Sequence, residues 1–198
     1  MSKESNNKFN YFKKQTLQKL VQHIEQDKVD EKVQVILKLI NSHDNYVTTS
    51  SCAGRIVLMQ LPDVGDKKHA GFLGRWHDPV SFYEIEEAVS RYKRGQLWFI
   101  AQSPIFHVAA RTTIDADRLL KIGISSSFKH SGYKTETPKV IVELCSTERM
   151  DVPLVKEDHR FLSNDFLEFL TGIGNELLIR SQKKLNRLEQ NLRKKINR

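Results

Sequence analysis

Apolar residues recur along the chain with two different spacings, and together these predict an α+β protein. A spacing of three to four residues, with polar residues between, predicts five helices. They cover residues 8–26, 31–42, 82–93 and 113–122, and a long last helix that starts after Ser163 or Asn164 and runs towards the C-terminus. Runs rich in β-branched and aromatic residues predict strands instead, over 46–49, 56–61, 96–102, 105–110, 140–145 and 152–155.

The predicted strands come mainly in pairs that are joined by small-residue turns. Ala53-Gly54 joins the first pair and Ser103-Pro104 joins the second, so both pairs are interpreted as hairpins. Helices follow each pair rather than each strand, which favours an α+β fold over a doubly wound sheet. We therefore predict two β-α repeats that share one curved, barrel-like mixed sheet with the helices outside. The whole chain, 1–198, is predicted to be a single domain that ends in a basic helix over 176–198.

Several residues mark where the predicted helices begin and end. Asp30 is a predicted N-cap for the second helix, and Ser81 with Glu84 forms a capping-box pattern at the start of the third. Gly95 is expected to stop the third helix, and Gly123 to close the fourth. The segments 62–74 and 125–133 are rich in polar residues and glycine, so both are predicted to be exposed loops.

Composition narrows the class of partner. The 198 residues carry 28% charged side chains and a net charge of +8, which favours a polyanion such as nucleic acid. No apolar run reaches the length of a membrane span, and the N-terminus lacks the apolar core of a secretion signal. Cys52 and Cys145 form no zinc pattern. We expect a cytoplasmic protein with no membrane contact, no metal and no obligate protein partner.

Candidate chemistry lies in polar residues at the ends of the predicted strands. The phosphate-loop, dinucleotide, metalloprotease and serine-hydrolase motifs are absent from the sequence. The candidates are Ser50, Ser51, Cys52, Arg55, Trp76, His77, Gln102, His107, Lys129, His130 and Ser131. If the hairpins share one sheet, several of these residues converge on one rim, where ligand sites often lie.

Each candidate also has a purely structural interpretation. The turn after Ser50 could be a plain hairpin with hydroxyl-rich turn chemistry, and His107 could be a hydrogen-bonded core histidine. Trp76 could pack in the core or stack on a base. The segment 129–132 could be a solvated loop or a phosphate-binding loop, since lysine, a hydroxyl and a flexible glycine suit an anion.

The last helix combines a narrow leucine stripe with many cations. The cations are Arg180, Lys183, Lys184, Arg187, Arg193, Lys194, Lys195 and Arg198. This pattern is typical either of a solvated helix that docks by its leucines or of an electrostatic arm on the RNA backbone.

Four motifs in order resemble the tRNA wybutosine-synthesizing protein 3 family. They are TTSSCAGRI, RWHDPV, LWFIAQSPIFHVAAR and SFKHSG, and the likeness extends from about Asp30 to the terminal helix. Ala53 stands where the family commonly has a serine, and Ser127 where it commonly has a glycine. The resemblance implies a methyltransferase that uses S-adenosylmethionine. Its implied substrate is a 4-demethylwyosine-type base at position 37, in the anticodon stem-loop of tRNA(Phe), which is methylated at N4.

The resemblance, together with residue type, predicts roles for the candidates, and the charge pattern of the last helix predicts the role of its cations. His107, His77 and Ser51 are predicted to be catalytic, with a histidine accepting the proton that leaves the base. Predicted cofactor-binding residues are Ser50, Ser51, Cys52, Gly54 and Gln102. Predicted RNA-binding residues are Arg55, Trp76, Lys129, His130, Ser131, Gly132, Lys183, Lys184 and Arg187.

Two other functions remain open from the residues themselves. A metal-independent ribonuclease would use His77, His107 and Lys129 as base, acid and charge stabiliser. A non-catalytic RNA-binding module would need only the basic and aromatic residues. Binding of S-adenosylmethionine separates these alternatives from the methyltransferase, which alone requires it.

Overall fold

A computed structural model describes residues 3–63, 66, 68–157 and 159–196, and within them the chain forms five helices and nine strands. The helices are α1 (Lys3–Glu25), α2 (Glu31–Asn41), α3 (Phe82–Ser90), α4 (Thr113–Ser125) and α5 (Asn164–Lys195). The strands are β1 (Tyr46–Cys52), β2 (Arg55–Leu61), β3 (Gly71–Trp76), β4 (Gln96–Gln102), β5 (Ile105–Ala110), β6 (Gly132–Glu136), β7 (Lys139–Cys145), β8 (Met150–Lys156) and β9 (His159–Arg160). None of the helices in these ranges is long and apolar enough to cross a membrane.

The strands form two separate antiparallel sheets. The first sheet has the order β1-β5-β7-β6, and the second has the order β3-β2-β4-β8-β9. Over the described ranges neither sheet closes on itself, because each order begins and ends at an edge strand. The fold is α+β, but the predicted single, barrel-like mixed sheet is wrong.

The error lies in which strands pair. β1 pairs with β5, and β2 pairs with β4, so neither predicted hairpin exists. The turns 53–54 and 103–104 instead carry the chain from one sheet to the other. Two apolar runs around a small-residue turn are compatible with a hairpin and also with a change of sheet, and the pattern alone does not distinguish them. Gly54 takes the positive φ of 88° that one of these turns requires.

The chain divides into two compact units, each with its own apolar core. The first unit comprises Met1–Ala53, Pro104–Thr147 and Lys183–Arg198, and the second comprises Gly54–Ser103 and Glu148–Gln182. In the first unit, α2, α4 and the end of α5 bury their apolar faces with the first sheet. In the second unit, α3 and the start of α5 pack with the second sheet. The single domain over 1–198 stays a prediction.

The predicted helix ends agree with the structure only where hydrogen bonds between residues close in the sequence determine them. Ser81 and Glu84 form both bonds of the predicted capping box. Gly95 does not stop α3, which ends at Ser90 with Arg91 as its C-cap, and Gly95 with φ +83° instead precedes β4. Asp30 occupies the N-cap position of α2 but makes no side-chain cap bond. Gly123 does not end α4, which continues to Ser125.

Three strands lie outside the predicted set. β3 begins inside the segment 62–74, which was predicted to be a loop throughout, and β6 and β9 were not predicted. Val64, Gly65 and Lys67 of that segment lie outside the described residues, as does Arg198 at the end of the basic helix. β6 and β9 expose nearly all their side chains, so they carry no apolar alternation that would reveal them.

Candidate active site

One row of residues crosses all four strands of the first sheet. Ser50 pairs with His107, His107 pairs with Glu143, and Glu143 pairs with Gly132. Residues that are paired across neighbouring strands point to the same face, so their side chains can interact. The register thereby brings three predicted site residues together, and it adds Glu143, which the sequence did not single out.

His107 is held from both sides by hydrogen bonds along this row. Its Nδ1 lies 2.8 Å from Ser50 Oγ, and its Nε2 lies 2.9 Å from Glu143 Oε2. The His107 side chain is 34% exposed and that of Glu143 is 49% exposed. The core-histidine interpretation therefore does not describe His107, which lies half-buried in a polar cluster open to solvent.

The carboxylate of Glu143 fixes how the hydrogens are arranged. A carboxylate only accepts hydrogen bonds, so His107 Nε2 carries the hydrogen that Glu143 receives. In the neutral imidazole Nδ1 then has a lone pair, and it accepts the hydroxyl hydrogen of Ser50. The exposed Ser50 oxygen keeps its own lone pairs for a proton from outside. The row can therefore pass a proton from a bound ligand through Ser50 to His107.

Asp30 supports the turn that follows this row. The backbone N–H of Ala53 donates to Asp30 Oδ2 at 3.1 Å, and Ala53 is only 3% exposed. Ser51 and Cys52, between the row and Ala53, are half-buried at the end of β1. Sequence reasoning gave Asp30 only a capping role, because its partner lies 23 residues away.

Lys129 and His130 are exposed at the start of the predicted phosphate-binding segment. The His130 backbone N–H donates to the Cys145 carbonyl at 3.1 Å. The Ser131 hydroxyl donates to the Phe128 carbonyl at 2.7 Å and accepts from the Cys145 N–H at 3.0 Å. These bonds fix the segment to β7 and leave the Lys129 ammonium outside. The Ser131 hydroxyl thus supports the loop.

The predicted RNA-binding cations of α5 differ in their surroundings. Lys183 is exposed, whereas Lys184 Nζ donates to Thr147 Oγ1 at 2.8 Å. Arg187 donates to the Ser127 hydroxyl at 2.7 Å. The hydroxyl partners in these two bonds are neutral groups.

In the second unit, Arg55 and Gln102 lie together. Arg55 Nε donates to Gln102 Oε1 at 2.6 Å, as their direct pairing across β2 and β4 allows. The guanidinium carbons of Arg55 and Arg75 lie 5.7 Å and 4.5 Å from the ring centre of Phe72. Phe72 is 44% exposed, so an aromatic surface flanked by two cations faces solvent. The sequence missed Phe72 because it lies in the segment predicted to be a loop.

Trp76 and His77 follow Arg75 directly in the chain. Trp76 packs partly buried against the core of the second unit. Its ring lies against Gly74, where a Cβ would come within 2.0 Å of it. His77 Nδ1 is buried. Trp76 therefore has the core environment that its structural interpretation predicted, and its predicted base-stacking role stays a prediction.

Among the described residues, no three His, Cys, Asp or Glu side chains form a metal-binding group.

Known proteins resemble this chain over nearly its whole length. The family model described as Methyltransferase TYW3 matches residues 11–194. A relative from Pyrococcus horikoshii is named tRNA(Phe) 7-((3-amino-3-carboxypropyl)-4-demethylwyosine(37)-N(4))-methyltransferase 1. It is 44% identical over 185 residues, covering 93% of this chain and 94% of the relative. One with the same name from Thermococcus kodakarensis is 42% identical over 187 residues, covering 94% of each chain.

Solved structures show the same fold. A protein from Pyrococcus horikoshii superposes with a TM-score of 0.88 at 43% identity, covering 94% of this chain and 97% of that one. A hypothetical protein from Aeropyrum pernix superposes with a TM-score of 0.72 at 29% identity, covering 83% and 98%. The family model and the named relatives both match nearly the whole chain, and the chain therefore belongs to the TYW3 methyltransferase family.

Proposed function

We propose that this protein methylates N4 of 7-(3-amino-3-carboxypropyl)-4-demethylwyosine at position 37 of tRNA(Phe), with S-adenosylmethionine as the methyl donor. The relatives named for this reaction share 44% and 42% of aligned residues with the chain. The structural observation that carries the proposal is the hydrogen-bonded row Ser50–His107–Glu143. Methylation of an N–H nitrogen needs a group that accepts the proton, and in this row His107 can accept it through Ser50.

S-adenosylmethionine supplies a methyl group on a positively charged sulfur, from which an attacking nitrogen can take it. The work left to the protein is mainly positioning of the nitrogen in line with the methyl group. Ser50 would accept the N4 proton at Oγ while its own hydroxyl hydrogen passes to His107 Nδ1. Glu143 would stabilise the resulting imidazolium through its bond to Nε2.

The remaining predicted roles keep their assignments as proposals. The hydroxyls of Ser50 and Ser51 fit the polar end of the cofactor, and Cys52, Gly54 and Gln102 are assigned to it as well. Ser51 and His77, like His107, keep their predicted catalytic roles as proposals.

Three features support tRNA(Phe) as the partner. The net charge of +8 attracts the phosphate backbone, and Lys183, Lys184 and Arg187 lie close together along α5, where Lys183 and Arg187 are exposed and Lys184 is half-buried. In the second unit, Phe72 with Arg55 and Arg75 offers a surface on which an unpaired base can stack. Unpaired bases of an anticodon loop are the usual targets of such stacking. Lys129 to Gly132 is assigned to phosphate.

The test uses the purified chain with tRNA(Phe) that carries the unmethylated base. We expect saturable binding of S-adenosylmethionine by calorimetry, and a gain of one methyl group on the position-37 nucleoside by mass spectrometry. tRNA(Phe) with an unmodified guanosine at position 37 serves as the control and should gain none. Cleavage of end-labelled tRNA would support the ribonuclease instead. Binding of tRNA with no S-adenosylmethionine binding would support the RNA-binding module.

A further inference from the structure

A cavity of about 310 Å³ lies beside the hydroxyl-rich end of β1, on the side that α1 covers. Four consecutive residues of β1, 48–51, form one wall. Thr16, Lys19 and His23 of α1 and Lys28 after it contribute polar groups to the others. We refer to it as the α1 cavity. Its volume is at the lower end of the roughly 300–1,000 Å³ that small-molecule sites occupy.

The lining of the α1 cavity has one sign of charge. Lys19, His23 and Lys28 are basic, five lining residues carry hydroxyls, and none of the lining residues is acidic. Lys28 Nζ donates to Gln26 Oε1 at 2.7 Å, and this partner is a neutral amide. Cations together with hydroxyl groups are the donors that bind a carboxylate.

Ser50 links the α1 cavity to the proposed chemistry. It lines the cavity, and its hydroxyl makes the 2.8 Å hydrogen bond to His107 Nδ1. The cavity and the row therefore share the Ser50 side chain. The hydroxyl oxygens of Thr49, Ser50 and Ser51 can also accept hydrogen bonds from an ammonium group.

We propose that the α1 cavity binds an α-amino-acid end group, with Lys19 and Lys28 on its carboxylate. This inference rests on the proposed function, which supplies two carriers of that group. The substrate base bears a 3-amino-3-carboxypropyl side chain, and S-adenosylmethionine bears the same group on its sulfur. Both carriers present a carboxylate and an ammonium on one carbon, which matches a cavity with cations and hydroxyls.

The experiment compares ligands with and without this group, and in the cofactor pair the positive charge of the sulfur is lost together with it. Methylthioadenosine lacks the amino-acid part of S-adenosylmethionine, and tRNA(Phe) with 4-demethylwyosine lacks the side chain at position 7. Affinities of all four ligands are measured for wild type, Lys19→Gln and Lys28→Gln. We expect each variant to lose about tenfold in affinity for the amino-acid-bearing member of one pair, with its partner unchanged, because one charge-assisted hydrogen bond is removed.

The pair that responds identifies the carrier as the base or the cofactor. Lys14→Gln is the matched control, since Lys14 is on the same helix but lines a different cavity. The proposal would be overturned if, in both pairs, a variant lost as much affinity for the ligand without the group as for the ligand with it. It would also be overturned if neither variant lost affinity, or if Lys14→Gln lost as much as they did. An equal loss for the two tRNAs alone would indicate a backbone phosphate and would overturn it too. These binding readouts need no turnover, so a wild-type chain that binds but transfers no methyl group would refute the proposed function separately.

Discussion

Asp30 and Ala53 are joined by a hydrogen bond from the Ala53 backbone N–H to Asp30 Oδ2, at 3.1 Å. Asp30 precedes α2, and Ala53 lies directly after β1. The bond ties the start of the helix to the turn behind Ser50, Ser51 and Cys52. A buried backbone N–H without a partner is costly, so this carboxylate is a structural requirement of the turn.

Asp30→Ala should therefore lower the free energy of unfolding by about 1–3 kcal/mol, because it leaves the Ala53 N–H unsatisfied. Methyl transfer per folded molecule should fall as well, since displacement of the turn misplaces Ser50. Asp30→Asn keeps an oxygen acceptor and should lose less of both. Urea unfolding and single-turnover assays measure the two effects. Wild-type stability in Asp30→Ala would show that the bond contributes nothing.

Ser51 and Arg55 lie on either side of the same turn. Ser51→Ala and Arg55→Ala should fold normally and lose most methyl transfer, because each removes a polar group assigned to a ligand and neither is a core side chain. Circular dichroism checks the fold, and turnover on undermethylated tRNA checks the activity. Two variants with wild-type turnover would leave the turn with a structural role only.

The bonds on either side of His107 give a graded prediction. His107→Gln should lower the transfer rate more than about tenfold, with little change in Tm, because a positioned proton acceptor typically contributes roughly 10²–10⁴-fold. Glu143→Gln keeps a hydrogen-bond acceptor without the charge, so its loss should be smaller. Glu136→Gln is the control on the same sheet, because Glu136 pairs with Lys139 at 2.8 Å. A large fall in Tm with undiminished turnover per folded His107→Gln molecule would contradict the catalytic role.

Tyr46 makes the free energy of unfolding depend on pH in the alkaline range. Its hydroxyl donates to the Asp115 carbonyl at 2.9 Å, and burial, reinforced by the Asp115 charge, raises the pKa of Tyr46 from 10.0 to about 12. Below pH 10 the phenol is protonated in both states and the stability is intact. Between pH 10 and 12 only the unfolded chain loses the proton, so stability falls as pH rises. Tyr46→Phe should lack this component, and the difference between wild-type and variant unfolding curves at pH 9 and 11 measures it.

Local signals in the sequence predicted the elements better than their partners. The capping box at Ser81 needs only a hydroxyl and a carboxylate three residues apart, so it is readable from the sequence. The pairing of β1 with β5 depends on interactions between residues more than fifty positions apart, which periodicity does not encode. The prediction that Gly123 closes α4 was wrong for the same reason, because its role depends on a contact with a residue distant in the sequence. Its hydrogen faces Leu144, where a Cβ would come within 2.6 Å, so the glycine serves close packing inside α4.

In the candidate site, too, the sequence identified individual residues but not which of them lie together. Ser50 and His107 were found because polar residues at strand ends and inside an apolar strand are unusual. Glu143 was missed because an acidic residue in an alternating strand has an ordinary exposed position, and only the register places it opposite His107. The predictions for Ser50 and His107 thus came from residue type, whereas their joint geometry came from pairing.

The basic stretch of α5 separates RNA binding from chemistry. Replacing Lys183, Lys184 and Arg187 together with glutamine keeps the buried Leu185 and Leu188, so docking of the helix should survive. We expect weaker tRNA(Phe) binding and unchanged S-adenosylmethionine affinity. A plot of log affinity against log salt should become shallower by about one unit for each phosphate that the helix no longer neutralises.

Arg193→Gln is the control for that stretch, because Arg193 already pairs with Glu189 at 2.8 Å and its charge is offset. Its salt slope should stay near that of wild type. Binding titrations at several salt concentrations decide the question, since removing a cation from a phosphate changes the slope whereas weaker packing changes only the intercept. An unchanged slope in the triple variant would mean that this stretch is only a solvated helix face. The RNA surface would then have to involve Lys129 or the arginines around Phe72, whose positive charges would remain the best matched to a phosphate backbone.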